Sequence, residues 1–168
     1  MRNLLSFSFR QRALFVSALC AASLGAAVVL QHVFGWEPCP LCILQRLALV
    51  GLGVFSLLAA LLSKRKLFSG GFKLLATSVA GGGAWAAYEQ LTLLWGPQQF
   101  SCGAGLRMFI MRLSDRFPFL DWLLEGPADC GADANLVLGL PLAFWVLSLL
   151  VVCAVTLWLP QRTANKLN

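Results

Sequence analysis

Charged residues are scarce in this sequence: they make up 12% of the 168 residues, whereas hydrophobic residues make up 59%. So few charged side chains cannot cover a water-exposed surface, which excludes an ordinary water-soluble protein. The sequence also contains a single histidine, which leaves little for a histidine-based metal centre. The apolar residues are collected into long runs instead of being spread at amphipathic spacing. Four long apolar runs contain no charge: residues 13–36, 47–63, 74–88 and 134–160.

These uncharged runs predict four membrane-spanning helices. A span needs roughly 20 apolar residues at about 1.5 Å each, which the first and fourth runs supply alone. The second and third runs reach that length only with neighbouring polar residues, which fall at the same membrane edge. We therefore predict an all-α membrane protein, a four-transmembrane-helix bundle made by one domain over residues 1–168. The predicted spans are about 13–35, 43–63, 70–95 and 136–159, with extracytoplasmic loops at about 36–42 and 96–135.

Basic residues predict the orientation of this bundle. The stretches before span one, from the end of span two to Lys73 in the first residues of span three, and after span four hold nine basic and no acidic residues. The loop at about 96–135 holds three basic and five acidic residues, so the positive-inside rule puts both termini in the cytoplasm. The net charge of +6 is then a topology signal, and we predict no nucleic-acid binding. Because the first run exceeds the usual length of a secretory signal, we expect span one to remain uncleaved.

The six cysteines fall into two groups. Cys20 and Cys153 lie in the middle of spans one and four, where a thiol behaves as a small apolar group, and we interpret both as packing residues. The other four are predicted outside the membrane on the extracytoplasmic side, where disulfides persist. Four cysteines allow three connectivities. This second group is Cys39, Cys42, Cys102 and Cys130.

The strongest motif is the C-x-x-C pair of Cys39 and Cys42 beside the start of span two. A disulfide in so small a ring is easily strained, and a helix N-terminus favours a thiolate, so we expect this pair to be reactive. The spacing alone also fits a zinc site, if the loop cysteines closed on the same ion, or a static disulfide. A c-type haem would need histidine where Ile43 stands.

The second cysteine pair, Cys102 and Cys130, lies in a loop longer than most connections, which indicates a functional or mobile segment. Within it, apolar residues recur at helical spacing among three arginines, predicting a short amphipathic helix that ends before Pro118. The helix fits a position on the membrane surface, although its apolar stripe would also suit packing on the bundle. The stripe consists of Leu106, Phe109, Ile110, Leu113 and Phe117.

Several polar residues are predicted at the same membrane edge. Arg46 lies one helical turn past Cys42, so it shares that face and would stabilise a Cys42 thiolate or bind an oxygen of a redox lipid. Snorkelling to the interface is the simpler alternative for a charged residue near a helix end. Glu89 and Gln90 end span three, where a functional role and interfacial solvation are both open. His32 ends span one, where it fits an interfacial group as well as a proton carrier.

Two segments, Gln31-His32-Val33 and Glu37-Pro38-Cys39-Pro40-Leu41-Cys42-Ile43-Leu44-Gln45-Arg46, resemble the signature of the DsbB family of bacterial disulfide bond formation proteins. Four predicted spans, the second cysteine pair, and Gly139-Leu140-Pro141 followed by Trp145 extend the resemblance over nearly the whole chain. The resemblance implies a quinone-dependent thiol:disulfide oxidoreductase in the bacterial inner membrane. Its expected partners are a periplasmic DsbA-type oxidase of thioredoxin fold, the lipid bilayer, and the quinone, either ubiquinone or menaquinone, that accepts the electrons.

The resemblance also implies residue roles. By position, Cys102 matches the cysteine attacked by the partner, Cys130 the cysteine that exchanges with Cys39, and Cys42 the cysteine beside the quinone. Arg46 matches an arginine of the quinone site. The resting disulfides would be Cys39 to Cys42 and Cys102 to Cys130.

Two further quinone-site candidates are less direct. Gln90 stands where a family member can have histidine, which puts a histidine contribution to quinone binding in doubt, and His32 is the only histidine of the chain.

Two alternatives to this function remain open. A membrane thiol oxidase of the vitamin K epoxide reductase type also joins a C-x-x-C to a quinone, but there the loop pair normally precedes the C-x-x-C. A structural membrane protein with two static disulfides would show no thiol cycling when a reduced partner and quinone are added.

Overall fold

The protein is described by a computed structural model at residues 8–36, 38–95, 108, 111–112, 115–116 and 136–159. Within these residues the chain forms four long helices and one short hairpin between the third and fourth helix. The elements are α1 Phe9–Phe34, α2 Pro40–Leu61, α3 Lys66–Trp95, β1 Leu136–Val137, β2 Leu140–Pro141 and α4 Leu142–Trp158.

Helix α1 is capped at both ends. At its start, Ser8 Oγ accepts a hydrogen bond from the Gln11 amide N–H at 3.4 Å, and Gln11 Oε1 accepts one from the Ser8 amide N–H at 2.9 Å. This reciprocal pair satisfies two backbone donors that the first turn leaves free. At its end, Gly35 has φ 66°, a left-handed conformation that a glycine adopts without a steric penalty. The chain therefore leaves α1 sharply and enters α2 within a few residues.

Helix α2 begins with Cys39 as the N-cap and Pro40 in its first turn. Proline suits this position because its missing N–H would have had no partner inside the helix. The Cys39 sulfur accepts a hydrogen bond from the Cys42 amide N–H at 3.4 Å. The C-x-x-C pair is thus built into the beginning of a helix, as the sequence predicts.

A two-residue hairpin precedes α4. Leu136 pairs with Pro141 and Val137 with Leu140, while the turn residues Leu138 and Gly139 have φ 55° and 81°. A turn with positive φ at both central positions has a backbone twist that matches the twist of the two antiparallel strands. The fourth span was predicted to begin at about 136, but the helix begins at Leu142. The apolar run at residues 134–160 gave no hydropathy signal for the turn.

The helices pack in chain order around an apolar core. α2 packs against α1 and α3, and α4 packs mainly against α3. Gly83 permits the closest approach, since a Cβ there would overlap the Ala48 side chain and lie 3.0 Å from Leu150 Cδ1. Cys20 and Cys153 lie in this core with 1% of their surface exposed, which agrees with their interpretation as buried packing residues.

The outward faces of the helices are apolar. Large hydrophobic side chains on all four helices are exposed, and a water-soluble surface would not carry so many. Among the described residues, α1 and α2 are long and apolar enough to cross a membrane, and α4 is a shorter apolar helix of 17 residues. The helices overlap the four predicted spans, whose number and orientation stay a prediction. Exposed examples are Phe15, Val29, Val54, Leu61, Leu75, Trp85, Val152 and Val155.

Candidate functional site

The sulfur atoms of Cys39 and Cys42 lie 3.1 Å apart, and both residues are free cysteines. Cys39 is buried, with 4% of its surface exposed, and Cys42 is half-buried. Leu41 completes one side of the pair, and Ala86 of α3 packs against it from the neighbouring helix. The two thiols are therefore held side by side in an apolar setting, which is the arrangement that a reversible dithiol–disulfide pair requires.

The two sulfurs have different environments. The hydrogen bond that the Cys39 thiol donates to the Cys42 sulfur, together with burial, raises the pKa of Cys39. Cys42 lies in the first turn of α2, where free backbone N–H groups and the helix dipole favour negative charge. Its sulfur also accepts a hydrogen bond from Gln90 Nε2 at 3.3 Å. The negative charge of a singly deprotonated pair is thus placed on Cys42.

Two buried amides connect α2 to α3 beside this sulfur. Gln45 Nε2 donates to Gln90 Oε1 at 2.8 Å, and Gln90 Nε2 donates to the Cys42 sulfur. Gln45 is 3% exposed and Gln90 is 8% exposed. Because a buried amide without partners is costly, each glutamine fixes the other, and the chain of bonds fixes the donor that faces Cys42.

Arg46 is buried one turn after Cys42, with 8% of its surface exposed. Its Nη1 donates to Gln31 Oε1 at 2.6 Å, and its Nη2 lies 3.5 Å from the Ala27 carbonyl oxygen, so α1 holds the guanidinium in place. The Arg46 side chain is therefore buried between α1 and α2. Its positive charge acts on both Cys42 and Cys39 and adds to the preference for a thiolate.

The other polar candidates, His32 and Glu89, make no side-chain hydrogen bond to this cluster in the part of the chain that the structure describes. His32 is exposed near the end of α1, and among the described residues its side chain makes no hydrogen bond. Glu89 is half-buried beside Gln90, and its backbone carbonyl accepts a hydrogen bond from Thr92 Oγ1 at 2.8 Å. The structure thus brings Cys39, Cys42, Arg46 and Gln90 together, and it leaves His32 outside the cluster.

Cys102 and Cys130 lie outside the described residues, as do all five apolar residues of the predicted amphipathic stripe. The described positions of that loop are helical, and Met108 and Met111 are exposed. Arg112 Nη2 lies 4.0 Å from Met108 Sδ, the contact expected one turn apart on a helix. Helical structure is confirmed at these positions, and the pairing of Cys102 with Cys130 stays a prediction.

Gln45 and Gln31 complete the site, and neither was singled out from the sequence as a candidate. Gln45 lies three residues after Cys42, which puts it on the same side of α2, and a polar residue within an apolar run was an available signal. Gln31 ends span one just before His32. Its contact with Arg46 depends on how α1 and α2 pack, which no spacing within one helix reveals.

This chain is similar to a described protein family and to several curated proteins. The family model described as "Disulfide bond formation protein DsbB" matches residues 9–160. A protein from Chromobacterium violaceum named "Disulfide bond formation protein B" is 38% identical over 161 residues, covering 94% of this chain and 96% of its own. A protein of the same name from Ralstonia nicotianae is 39% identical over 147 residues, covering 86% and 88%. One from Aromatoleum aromaticum is 35% identical over 156 residues, covering 89% and 92%. This chain belongs to the DsbB family of disulfide bond formation proteins.

Proposed function

We propose that this membrane protein is a quinone-dependent thiol:disulfide oxidoreductase that reoxidises a periplasmic DsbA-type oxidase. The observation that carries the proposal is the Cys39–Cys42 pair, whose sulfurs lie 3.1 Å apart at the beginning of α2. Gln90 and Arg46 favour a thiolate on one sulfur, and a static disulfide has no need of such stabilisation. The same environment makes Cys42 a good leaving group when the disulfide is attacked.

The proposed partner reaction is an exchange of two electrons between cysteine pairs. A thiolate of the reduced DsbA-type partner attacks Cys102 of the Cys102–Cys130 disulfide and releases the Cys130 thiolate. The second partner thiol then displaces Cys102, so the partner leaves as a disulfide and the loop pair is left as a dithiol. Attack by Cys130 on Cys39 and resolution by Cys102 pass the two electrons on, so that Cys39 and Cys42 become the dithiol.

The residues beside Cys42 suit a quinone. When bound, a quinone accepts two electrons and two protons from the dithiol and leaves as a quinol. Its carbonyl oxygens accept hydrogen bonds, and Arg46 has five N–H donors, of which the contacts with Gln31 and Ala27 occupy only some. Gln90 presents a second fixed amide next to Cys42. Arg46 and Gln90 would hold the quinone, whereas His32 has no described contact with this cluster.

The proposed location is the bacterial inner membrane, with the four extramembrane cysteines on the periplasmic side. The support is the distribution of charge along the sequence: apart from Arg46, every basic residue outside the loop at about 96–135 falls before span one, between Lys64 and Lys73, or after span four. Both termini would then lie in the cytoplasm. Membrane-impermeant thiol labelling of reduced cells tests this orientation.

The function is tested with the purified full chain, a reduced DsbA-type partner and a short-chain quinone. We expect one quinone to be reduced, as measured by loss of its absorbance, for each partner disulfide that forms. Cys42→Ala should stop quinone reduction, and Cys153→Ala, which changes a buried core cysteine, should leave it intact. Partner oxidation without quinone loss would contradict the proposal, as would an oxidised Cys39–Cys42 pair that never cycles.

A further inference from the structure

We propose that the end of the bundle opposite the C-x-x-C pair binds one anionic phospholipid, with its phosphate in a basic cleft and an acyl chain in an adjoining apolar groove. The cleft lies where α1 begins, α2 ends and α3 begins. The groove lies between α3 and α4. Lys73 connects the two, and the site does not depend on the redox chemistry at the other end.

The cleft has a volume of about 440 Å³ and presents donors and positive charge. Arg10 and Lys73 supply the charge. The Ser63 hydroxyl makes no hydrogen bond among the described residues, whereas the hydroxyls of Ser8 and Ser69 donate to Gln11 Oε1 at 3.1 Å and to the Ala59 carbonyl oxygen at 3.3 Å. Phosphate oxygens are acceptors that suit arginine, lysine and serine together. The lining residues are Ser8, Phe9, Arg10, Ser63, Ser69, Gly70 and Lys73.

Among the described residues of α1, α2 and the start of α3, no acidic residue balances the positive charge at this end. No aspartate or glutamate occurs from Met1 to Trp36 or from Pro38 to Tyr88, the two stretches that form the whole of this end in α1, α2 and the start of α3. The charges of Arg12 and Lys73 repel each other. An anionic ligand is therefore the group that would neutralise the cluster.

Arg12 is the buried member of this cluster, with 6% of its surface exposed. Its Nη1 donates to the Leu159 carbonyl oxygen at 2.6 Å and lies 3.5 Å from the Thr156 carbonyl oxygen, which binds it to the end of α4. Its Nε is buried and has no hydrogen-bond partner among the described residues. A buried guanidinium held in this way keeps a fixed positive charge beside Lys73.

The apolar groove would bind an acyl chain, which a phospholipid has and a free anion lacks. It has a volume of about 380 Å³ and is lined by Thr77, Ala154, Val155, Trp158 and Leu159. Lys73 Nζ lies 3.7 Å from the centre of the Trp158 ring, and Trp158 Nε1 donates to Thr77 Oγ1 at 2.9 Å. The cation and the apolar groove are thus fixed next to each other. Tryptophan and lysine meet in this way at membrane interfaces, where a headgroup and an acyl chain join.

Binding is measured by native mass spectrometry of the purified full chain after incubation with equal amounts of dioleoylphosphatidylglycerol and dioleoylphosphatidylcholine. We expect one phosphatidylglycerol to be retained in preference to phosphatidylcholine. Arg10→Gln and Lys73→Gln should each lower its affinity about five-fold, the effect of one basic residue near a charged lipid surface. Lys64→Gln and Arg65→Gln are the matched controls, because these exposed cations lie at the same end but do not line the cleft. They should change the affinity less than two-fold.

Two further measurements separate the alternatives. Excess inorganic phosphate should not displace the lipid; displacement would show that the cleft binds phosphate itself and would overturn the lipid assignment. A photoactivatable phosphatidylglycerol should crosslink to the unaltered protein near Trp158, which tests the site even if the variants fail to fold. Equal retention of the two lipids, or equal losses in the cleft and control variants, would also overturn the proposal.

Discussion

The side-chain amide of Gln90 offers the sharpest test of how the site controls its sulfurs. In Gln90→Leu a side chain of similar size replaces the amide, so the donor to the Cys42 sulfur is lost while the packing between α2 and α3 is largely retained. The substitution also removes the acceptor of Gln45 Nε2. Two effects are therefore expected from one change: a weaker preference for the Cys42 thiolate and a loss of stability.

The sizes of the two effects follow from burial. A hydrogen bond to a charged group contributes about 1.5 to 3 kcal/mol, which corresponds to a rise of about one to two pH units in the midpoint for Cys42 alkylation. The Gln45 amide, 3% exposed, is left without its partner, which costs about 1 to 3 kcal/mol of stability. Loss of a thiolate-stabilising donor raises the midpoint, because a higher pH is then needed to deprotonate the thiol.

Gln45→Leu is the matched control. It leaves the Gln90 oxygen without its Gln45 donor and should cost a similar amount of stability, but the contact from Gln90 Nε2 to Cys42 remains. The assay is the rate of iodoacetamide reaction at Cys42 in the reduced protein as a function of pH, resolved from Cys39 by peptide mass spectrometry. Stability is followed by denaturation in mixed micelles.

Combining Gln45→Leu with Gln90→Leu completes a double-mutant cycle for this pair. Replacing both glutamines removes both partners of the buried bond, so the combined loss of stability should be smaller than the sum of the single losses. If Gln90→Leu and Gln45→Leu have the same pH midpoint for Cys42 alkylation, the Gln90 amide does not stabilise the Cys42 thiolate. Additive losses in the double variant would separately refute the amide pairing.

Three further predictions concern the relay and the packing. Cys102→Ala should abolish the mixed disulfide with the partner yet leave quinone reduction by a small dithiol, whereas Cys42→Ala should do the reverse; equal loss of quinone reduction in both would refute the assignment. Arg46→Ala should weaken quinone use and raise the pH midpoint for Cys42 alkylation, since a nearby positive charge is removed, while adduct formation with the partner survives. Gly83→Val should cost about 1 to 3 kcal/mol in mixed-micelle denaturation because it overfills the contact with α2, whereas Gly82→Val, which adds a side chain in open space, should cost markedly less.

The helices could be predicted because charge is so unevenly distributed along this chain. Each of the four long apolar runs overlaps one helix, and Lys64 and Arg65 mark the connection between α2 and α3. The C-x-x-C pair was predictable at a helix start because Pro40 suits the first turn. Hydropathy did not predict the hairpin at residues 136–141, because its turn residues Leu138 and Gly139 are as apolar as a membrane span. Only their positive φ angles distinguish them from helix.

Contacts between helices were the part that the sequence could not provide. Helical spacing placed Arg46 on the same face as Cys42, but it did not show that Gln31 of α1 would accept a hydrogen bond from the guanidinium. Gln90 was a candidate only by its position at the end of a span. Its pairing with Gln45 depends on the register between α2 and α3, which also brings Gly83 close to Ala48 within about two turns of the site.

The asymmetry between the two sulfurs gives the proposed relay a direction. Cys39 is the sulfur with the raised pKa, since it donates a hydrogen bond to its neighbour and is buried, while Cys42 accepts from Gln90 and lies near Arg46. In a thiol–disulfide exchange, the sulfur that leaves most readily is the one best stabilised as a thiolate. Attack on the oxidised pair is therefore favoured at Cys39, with Cys42 leaving as the thiolate. That charge forms beside the two residues proposed to hold the quinone, so the exchange delivers the electrons at the position where they are removed.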